Sequence, residues 1–291
     1  MRTIPPCPYC SSRLVVCMET RERDYLRCAR CGLVTRRDNA TMGGGPESGY
    51  LDDRFFEEAA RDQLDGHRNG IYDSLLDEIE ATLHPGRLLD VGCGCGFFLK
   101  AARSRGWDIR GIDPSRKSME HLRRMLGNVG VEGPLEIFPD DERFDAVTML
   151  NVLDHLEEPW KAVEKVSKLL RPGGLFLLRI PNGSFHAAAL RLLLMLGPEA
   201  AAWRLTVIHR YALTPGFLER LLSARGFTGI RVRNARLTES VQLFGGRGDP
   251  INGMARSLLW AAVRSVELAS AGRILIGPSL CVKATKNRKP G

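Results

Sequence analysis

The chain has 291 residues, 44% of them hydrophobic and 26% charged, with a formal net charge of +8. This balance is ordinary for a globular protein, and the length allows one α/β domain of about 200 residues with one or two small additions. The N-terminal residues lack the apolar run of a secretory signal, and no stretch of about 18 uncharged apolar residues is present, so we expect a cytoplasmic chain without a transmembrane helix.

The positive charge is unevenly distributed along the chain. Residues 1–40 contain eight basic residues (Lys or Arg) and four acidic residues (Asp or Glu). Residues 179–291 contain 17 basic and five acidic residues. Such segments favour an anionic partner, for example a nucleotide sugar, a phospholipid or RNA. Arginine outnumbers lysine by 34 to eight, however, which a biased genomic composition also produces. Both interpretations stay open.

Four N-terminal cysteines form two C-x-x-C pairs, Cys7 with Cys10 and Cys28 with Cys31, with 17 residues between the pairs. Two close thiolate pairs on tight turns supply four soft ligands in a tetrahedron, which suits Zn²⁺. The intervening segments 13–20 and 23–28 have the pattern of a short antiparallel β unit. Residues 1–37 are therefore predicted to form a zinc ribbon, with Cys17 as a packed residue and not a ligand. Disulfides are the alternative, which a cytoplasmic location disfavours.

Residues 38–84 are predicted to contain a linker and N-terminal helices. The first part, 38–49, is rich in turn-forming residues and indicates a domain boundary. Apolar residues at helical spacing run through 51–83, and the His84-Pro85-Gly86 sequence ends that helix.

Strands and helices alternate from residue 85 to the end, which predicts an α/β domain over 85–291. The predicted strands are 88–91, 108–113, 128–132, 144–150, 174–181, 229–236 and 278–286. The predicted helices are 97–106, 115–126, 159–170 and 214–226. This alternation indicates a doubly wound, mostly parallel seven-stranded sheet that binds ligands at the carboxyl ends of its strands.

The first strand of this domain runs into the sequence LLDVGCGCG, residues 88–96, with glycines at 92, 94 and 96. A strand that feeds a glycine-rich turn and a helix lets the backbone approach a ligand closely. The second strand ends in Asp113, about 20 residues further on, where an acidic side chain can accept hydrogen bonds from a ribose. These two features alone fit a dinucleotide-dependent dehydrogenase as well.

Two later segments resemble a known family, and this resemblance favours one cofactor over a dinucleotide. FDAVTMLNVLDHLEEPWKAVEKVSKLLRPGGLFLLRIPN (144–182) and HRYALTPGFLERLLSARGF (209–227) resemble class I S-adenosylmethionine (SAM)-dependent methyltransferases related to ubiquinone-biosynthesis and sugar-methylating enzymes. The matching pieces include Leu153, His155 and Leu156 and the turn Arg171-Pro172-Gly173-Gly174. The resemblance covers roughly residues 86–234, is specific for the cofactor and says little about the acceptor.

The resemblance implies roles for residues around the glycine loop. Asp90 would hold the methionine ammonium group, Asp113 with Pro114 the ribose, and Asn151 the methionine end. The loop residues that would approach the cofactor through their backbones are Gly92, Cys93, Gly94 and Gly96. The acidic residue that the family often places after the third strand is missing from Gly133-Pro134-Leu135. The nearby acids Glu132, Glu136, Asp140 and Asp141 are the candidates to replace it.

Methyl transfer from a sulfonium mainly needs alignment of the acceptor, and a base helps if the acceptor is a hydroxyl. His209 and His155 are the candidate catalytic residues because imidazole titrates near neutrality. His209 is the better candidate, since His155 could instead have a structural role after the fourth strand.

Two apolar insertions, 184–208 and 237–273, lie outside the shared core. The second has basic amphipathic character over 253–272, which fits a membrane surface or a lipid-linked acceptor. Packing on the core or a dimer contact are the alternatives. The sequence therefore predicts methyl transfer to a small-molecule, sugar or lipid-linked acceptor, at oxygen. The alternatives are an rRNA-base methyltransferase that uses the ribbon to bind RNA, and a non-catalytic cofactor-binding protein.

Overall fold

A computed structural model describes residues 4–20, 23–38, 69–197, 202, 206–236 and 250–288. Its strands are β1 Leu14–Glu19, β2 Arg23–Cys28, β3 Val34–Asp38, β4 Arg87–Val91, β5 Asp108–Asp113, β6 Gly130–Glu132, β7 Phe144–Leu150, β8 Leu170–Pro181, β9 Tyr211–Ala212, β10 Phe227–Asn234 and β11 Ser279–Lys286. Its α-helices are α1 Asn69–Glu80, α2 Phe97–Ser104, α3 Arg116–Leu126, α4 Pro159–Leu169, α5 Gly183–Leu196, α6 Pro215–Ala224 and α7 Pro250–Ala269.

Seven of the strands form one sheet in the order β10-β11-β8-β7-β4-β5-β6. Strand β11 runs antiparallel to both of its neighbours, and the pairs from β8 to β6 are parallel. The predicted seven-stranded, mostly parallel sheet is thus confirmed. Strand β4 has its successors β5 and β6 on one side and β7 and β8 on the other. The order in which strands are added to the sheet therefore reverses at β4. Open α/β sheets bind their ligands at the carboxyl ends of the strands next to such a topological switch point.

Both faces of this sheet are buried, as a parallel sheet requires. Successive residues of each central strand alternate between two apolar clusters. Leu89, Val147 and Phe176 belong to the cluster that packs under α4, α6 and the N-terminal cysteine segment. Leu88, Ala146 and Leu175 belong to the cluster that packs under α1, α2 and α3. The sheet is therefore doubly wound.

The predicted element positions agree with the structure, with small differences at the ends. Strand β8 begins at Leu170 and includes the Arg171-Pro172-Gly173-Gly174 segment, because Leu170 already pairs with Phe144 of β7. The apolar insertions contribute α5 and α7, and residues 237–249 lie outside the described residues. Of the predicted helical region 51–83, residues 69–80 are helical, and residues 51–68 lie outside the part of the chain that the structure describes. Among the described residues, no helix combines the length and apolar character needed to cross a bilayer.

The N-terminal cysteine segment is part of a second sheet, ordered β1-β2-β3-β9. The pairing of β1 with β2 agrees with the predicted antiparallel unit. The third strand, β3, extends this unit and pairs with β9, which lies much later in the chain, just after His209. Tyr9 also packs against Trp160 of α4 and Phe217 of α6, with ring centroids 5.6 and 5.3 Å apart. The segment is therefore joined to the large domain by both backbone pairing and apolar contact.

Candidate functional site

A cavity of about 500 Å³ opens at the carboxyl ends of β4, β5 and β7. Of the predicted cofactor residues, five line it and three, Asp90, Cys93 and Gly96, do not. The five are Gly92, Gly94, Asp113, Pro114 and Asn151. Both candidate catalytic residues, His155 and His209, line the same cavity. The structure therefore brings the glycine loop and the two histidines to one space.

The glycine loop depends on backbone conformations that only glycine adopts readily. Gly92 has φ of +71°, and a Cβ there would lie 2.3 Å from a methyl carbon of Val152. Gly94 has φ of +52°, and its N–H donates a hydrogen bond to Asp113 Oδ2 over 2.9 Å. This arrangement keeps side chains out of the cavity wall and ties the loop to the end of β5.

Asp113 is held in a fixed orientation at the end of β5. Its Oδ2 accepts the hydrogen bond from Gly94, and its Oδ1 accepts one from the backbone N–H of Ser115 over 2.9 Å. Burial raises the pKa of this carboxyl above its ordinary value, and the two backbone donors oppose that effect. A fixed carboxylate at this position can accept hydrogen bonds from ribose hydroxyls.

Asp90 lies below the loop and is only 3% exposed. The hydroxyl of Thr148 on the neighbouring strand donates to its Oδ1 over 2.6 Å. Burial raises the pKa of Asp90 to about 7, against the lowering effect of the Thr148 hydrogen bond. A cationic group brought next to Asp90 would favour the ionised form.

Cys93 points away from the cavity into the core, where a Cβ on Gly111 would lie 2.6 Å from its sulfur. The side chain of Cys93 is therefore packed in the core, which leaves its backbone as the part that belongs to the loop. At the other edge of the cavity, the wall is formed by Gly133, Pro134, Leu135 and Glu136. Of the four acids considered as replacements for the missing acidic residue, Glu136 is the one that lines the cavity.

Asn151 follows β7 with φ of +59°, a left-handed conformation that asparagine tolerates better than most residues. Its N–H donates to the carbonyl of Arg179 over 2.7 Å, and its Oδ1 accepts from Arg179 Nη1 over 2.9 Å. Arg179, on β8, is a buried positioning residue that the sequence analysis missed, because nothing in its local sequence marks it.

The far end of the cavity holds a cluster of Asp154, His155 and His209, here called the Asp–His cluster. Its carboxylate oxygen Asp154 Oδ2 lies 3.6 Å from His209 Nε2 and 3.9 Å from His155 Nε2. The two imidazole rings lie with their centroids 3.9 Å apart. The sequence analysis identified both histidines but missed Asp154, although it directly precedes His155.

Burial dominates the electrostatics of this cluster. It raises the pKa of Asp154 to about 6. It lowers the pKa of His155 to about 3, with a smaller contribution from the nearby His209. His155 is therefore a neutral imidazole near pH 7 and a weak proton acceptor.

His209 is positioned by elements on two sides. From the N-terminal sheet, the Arg36 N–H donates to Arg210 O over 2.9 Å and Arg36 Nη1 to Ile208 O over 3.3 Å. From α5, the Nδ1 of the buried His186 accepts from the Val207 N–H over 3.2 Å. The segment that carries His209 is thus fixed between the cysteine segment and α5.

The four cysteines of the N-terminal segment form a cluster of their own. The sulfur atoms of Cys7 and Cys31 lie 3.6 Å apart, those of Cys10 and Cys28 lie 3.5 Å apart, and all four lie within 4.8 Å of one another. A Zn–S bond of about 2.3 Å gives a tetrahedron with edges of about 3.8 Å, so the donor set fits zinc. All four thiols are free, and Cys17 lies outside the cluster, donating to Tyr25 O over 3.2 Å.

Comparisons with known proteins point to one family. A family model described as a methyltransferase domain matches residues 64–232. A curated ubiquinone biosynthesis O-methyltransferase from Alkalilimnicola ehrlichii is 38% identical over 95 residues, which are 30% of this chain and 38% of that protein. One from Bordetella avium is 32% identical over 106 residues, 34% of this chain and 44% of that protein. The chain spans about half the length, or less, of these curated relatives.

The fold is shared with solved structures of low sequence identity. A SAM-dependent methyltransferase from Archaeoglobus fulgidus superposes with a TM-score of 0.52 and 19% identity over 81% of this chain and 100% of that one. The plantazolicin methyltransferase BpumL, solved in complex with SAH, gives a TM-score of 0.53 and 15% identity over 83% of this chain and 94% of that one. At these identities the likeness concerns the fold alone.

Proposed function

Because this chain belongs to the class I SAM-dependent methyltransferases, through the domain that covers residues 64–232, we propose that it transfers a methyl group from SAM to an oxygen atom of a small-molecule acceptor. One observation carries the proposal. A single cavity connects the glycine loop and Asp113 at one end with the Asp–His cluster at the other. Donor and acceptor can therefore meet in one space.

The cofactor residues keep the roles that the resemblance implies. Asp113, with Pro114 beside it, would hold the ribose, and the backbone of Gly92 and Gly94 would face the cofactor, with Cys93 and Gly96 behind them in the same loop. Asp90 would stabilise the methionine ammonium group through its carboxylate, and Asn151, held by Arg179, would border the methionine end. SAM supplies the reactive methyl group, and these residues orient it.

The catalytic residues are proposed to be His209 and His155, which act on the acceptor. In the transfer, the acceptor oxygen would form a bond to the methyl carbon as the carbon–sulfur bond breaks with its electrons returning to sulfur, and the acceptor proton would pass to His209. Holding the two reactants in line accounts for most of the rate, since alignment alone can contribute several kcal/mol. Between the two residues, His209 is the better proton acceptor, because the pKa of about 3 leaves His155 weakly basic.

The acceptor is proposed to be a phenol, a sugar or a lipid-linked compound. The curated relatives named as ubiquinone biosynthesis O-methyltransferases support a small molecule methylated at oxygen. Large apolar side chains that are mostly exposed on two helices support a lipid-linked acceptor and contact with a membrane surface. They are Leu192, Met195 and Leu196 of α5 and Met254, Leu258 and Leu268 of α7. Vesicles that contain anionic lipid are floated in the presence of the protein. Protein that floats with the vesicles would support the membrane contact, and protein that stays behind would contradict it.

The ribbon is proposed to bind a structural Zn²⁺ through Cys7, Cys10, Cys28 and Cys31. The sulfur–sulfur distances fit a zinc tetrahedron, and so short a segment gains much of its folding free energy from a metal. We further propose the division into a ribbon (1–37), a linker with N-terminal helices (38–84) and the methyltransferase domain (85–291).

Calorimetry with SAM and a methyl-transfer assay test the function. We expect one SAM per chain, and transfer of labelled methyl to at least one member of a panel of phenols, sugars and polyprenyl-linked sugars. His209→Ala should keep SAM binding and lose turnover, whereas His84→Ala, on the surface, should keep both. Absence of SAM binding at millimolar concentration would reject the proposal. Label found only in RNA would replace it by the RNA-methylating alternative, and SAM binding without any transfer would favour a non-catalytic role.

A further inference from the structure

The Asp–His cluster brings two imidazoles and one carboxylate to the wall of the cavity. Asp154 and His155 come from the turn after β7, and His209 comes from the segment before β9, more than 50 residues later in the chain. The donor atoms of all three side chains lie within 4.8 Å of one another. Their convergence therefore depends on the tertiary fold and not on a local sequence motif.

The distances within the cluster do not match direct hydrogen bonds. The separations of 3.6 and 3.9 Å from Asp154 Oδ2 to the two Nε2 atoms exceed the range of about 2.7–3.2 Å for a hydrogen bond to nitrogen. The shorter separation matches the longest edge of a metal tetrahedron, about 3.3–3.6 Å for ligand bonds of about 2.0–2.2 Å, and the longer one exceeds that edge by about 0.3 Å.

Asp154 gives a second, independent observation. Its side chain is buried, with the residue only 2% exposed, yet in the described part of the chain no other residue donates a hydrogen bond to either carboxylate oxygen. Buried carboxylates are normally paired, hydrogen-bonded or bound to a metal, because an unsatisfied one is costly. Both oxygens are therefore placed where a cation would satisfy them.

We propose that Asp154, His155 and His209 bind a divalent transition-metal ion at the acceptor end of the cavity. Two imidazoles and one carboxylate favour Zn²⁺, Fe²⁺, Co²⁺ or Ni²⁺ over Mg²⁺, which prefers oxygen ligands. Three protein ligands would leave coordination positions free, and all three residues line the cavity that the acceptor would enter. The ligand class for the open positions is a hydroxyl or phenol oxygen.

The catalytic consequence of this inference rests on the proposed function. With a metal bound, His209 would be a metal ligand and would no longer act as the proton acceptor. An acceptor hydroxyl bound next to the cluster would lose its proton to water, because coordination lowers its pKa. The resulting oxygen anion then forms the bond to the methyl carbon, and the electrons of the carbon–sulfur bond return to sulfur. No oxidation or reduction takes place, and the metal ligands are unchanged at the end.

The test counts metal ions on the full-length chain. The protein is prepared with one equivalent of zinc in the four-cysteine cluster, labile metal is removed with EDTA, and Co²⁺ is then added. We expect a second equivalent to bind, with the weak visible absorption of nitrogen and oxygen ligands and without the strong near-ultraviolet bands of cobalt–thiolate bonds. His155→Ala, His209→Ala and Asp154→Asn should each weaken that second binding more than about 100-fold, since loss of even an outer-shell partner costs about 10–100-fold.

Matched controls separate loss of the site from loss of the fold. His84→Ala, an exposed histidine outside the cavity, should keep both equivalents. Each cluster variant should keep its first zinc and its circular dichroism spectrum. If Asp154→Asn does not fold, the conservative His209→Gln variant, on the exposed side of the cluster, repeats the measurement.

Two outcomes distinguish this proposal from the proposed function. Co²⁺ is added up to 1 mM, at about the weak end of metal affinities. If SAM binds and no second metal binds over this range, the metal site is rejected, and the proposal returns to His209 as a base without metal. If the second metal binds but SAM does not, the metal site stands and the methyltransferase proposal fails. Equal loss of the second metal in His84→Ala would also overturn the site.

Discussion

The two ends of the cavity are built in different ways. The cofactor end comes from β4, β5 and the glycine loop between them, a continuous stretch of about 30 residues closed by backbone hydrogen bonds to Asp113. The acceptor end joins Asp154 and His155 to His209, whose segment is held by Arg36 from the N-terminal sheet and by His186 from α5. Apart from Asn151 and the wall formed by 133–136, the cofactor end is local in sequence, whereas the acceptor end depends on contacts between distant segments of the described chain.

This difference suggests a division of labour between the ribbon and the sheet. No described residue of the ribbon lines the cavity, so we expect the methyl-donor site to need little from it. The ribbon reaches the acceptor site through the pairing of β3 with β9. Damage to the ribbon should therefore disable the acceptor end and leave cofactor binding intact.

The largest effect is expected from Cys28→Ser, which removes one ligand of the four-cysteine cluster. Loss of the metal should unfold the ribbon, release β9 and reduce turnover more than about 100-fold, because such small metal sites fold only with their ion. SAM affinity should stay within about threefold, since no ribbon residue lines the cavity in the described structure. Bound zinc, hydrogen exchange over 206–213, the methyl-transfer assay and SAM calorimetry measure the four quantities.

The matched control is Cys17→Ser, a cysteine in the same sheet but outside the cluster. It should keep its zinc and its turnover. An equal loss of SAM binding and turnover in Cys28→Ser would show that the ribbon supports both ends, and the division would be wrong.

The second effect concerns the cofactor end. Asp113→Asn places an amide N–H₂ where Asp113 accepts hydrogen bonds from two backbone N–H groups. Hydrogen bonds to a charged group contribute about 1.5–3 kcal/mol each, so SAM affinity should fall about 10–100-fold. Co²⁺ binding at the Asp–His cluster should not change. Asp108→Asn, at the opposite end of the same strand, should bind SAM normally, and a weakened metal site in Asp113→Asn would contradict the separation of the two ends.

The third effect is a pH dependence at Asp90. Its pKa of about 7 means that the ligand-free chain keeps Asp90 protonated at pH 6, while a bound ammonium group favours the carboxylate. Binding below pH 7 must therefore release a proton, and SAM affinity should rise about tenfold per pH unit at most between pH 6 and 7, then level off. Asp90→Asn should abolish this slope.

The raised pKa of Asp90 also affects the stability of the ligand-free chain, which should fall with rising pH where SAM affinity rises. Between the unfolded pKa of about 3.9 and the native value, the native chain binds a proton that the unfolded chain lacks. The free energy of unfolding of the ligand-free chain should therefore fall as the pH rises from about 4 to 7. Thr148→Val removes the hydrogen bond that lowers the pKa, so it should move both curves to higher pH. A flat SAM affinity in the wild type would show that Asp90 does not interact with the ammonium group.

The cofactor end could be predicted from sequence because its determinants are local. Gly92 and Gly94 mark positive φ angles, and Asp113 follows at a spacing set by one helix and one strand. Asp90 and Cys93 were predicted as cofactor residues, and the structure places both behind the wall of the cavity, which the sequence could not show. The seven-stranded sheet followed from the alternation of apolar strands and amphipathic helices for the same reason.

The acceptor end could be predicted only in part. His155 and His209 were identified by resemblance, but their contact with each other and with Asp154 is a tertiary property. Arg36 and His186 contact the backbone beside His209, which is far away from them in sequence, and at the cofactor end Arg179 holds Asn151 in the same long-range way. No periodicity or motif marks such contacts, so these positioning residues became visible only in the structure.

The smallest expected effect tests the contact between the two sheets most directly. Arg36→Ala removes the hydrogen bond from Arg36 Nη1 to the carbonyl of Ile208, next to His209, but keeps the backbone bond from residue 36 to Arg210. One such bond contributes about 0.5–1.5 kcal/mol, so turnover should fall about threefold to tenfold while SAM affinity stays unchanged. Arg37→Ala is the matched control, because Arg37 pairs with Asp24 inside the ribbon, over 2.7 Å, and should leave turnover as it is. Equal effects of the two variants would mean that the ribbon acts through its general stability, whereas a selective effect of Arg36 would show that its side chain positions the segment carrying His209.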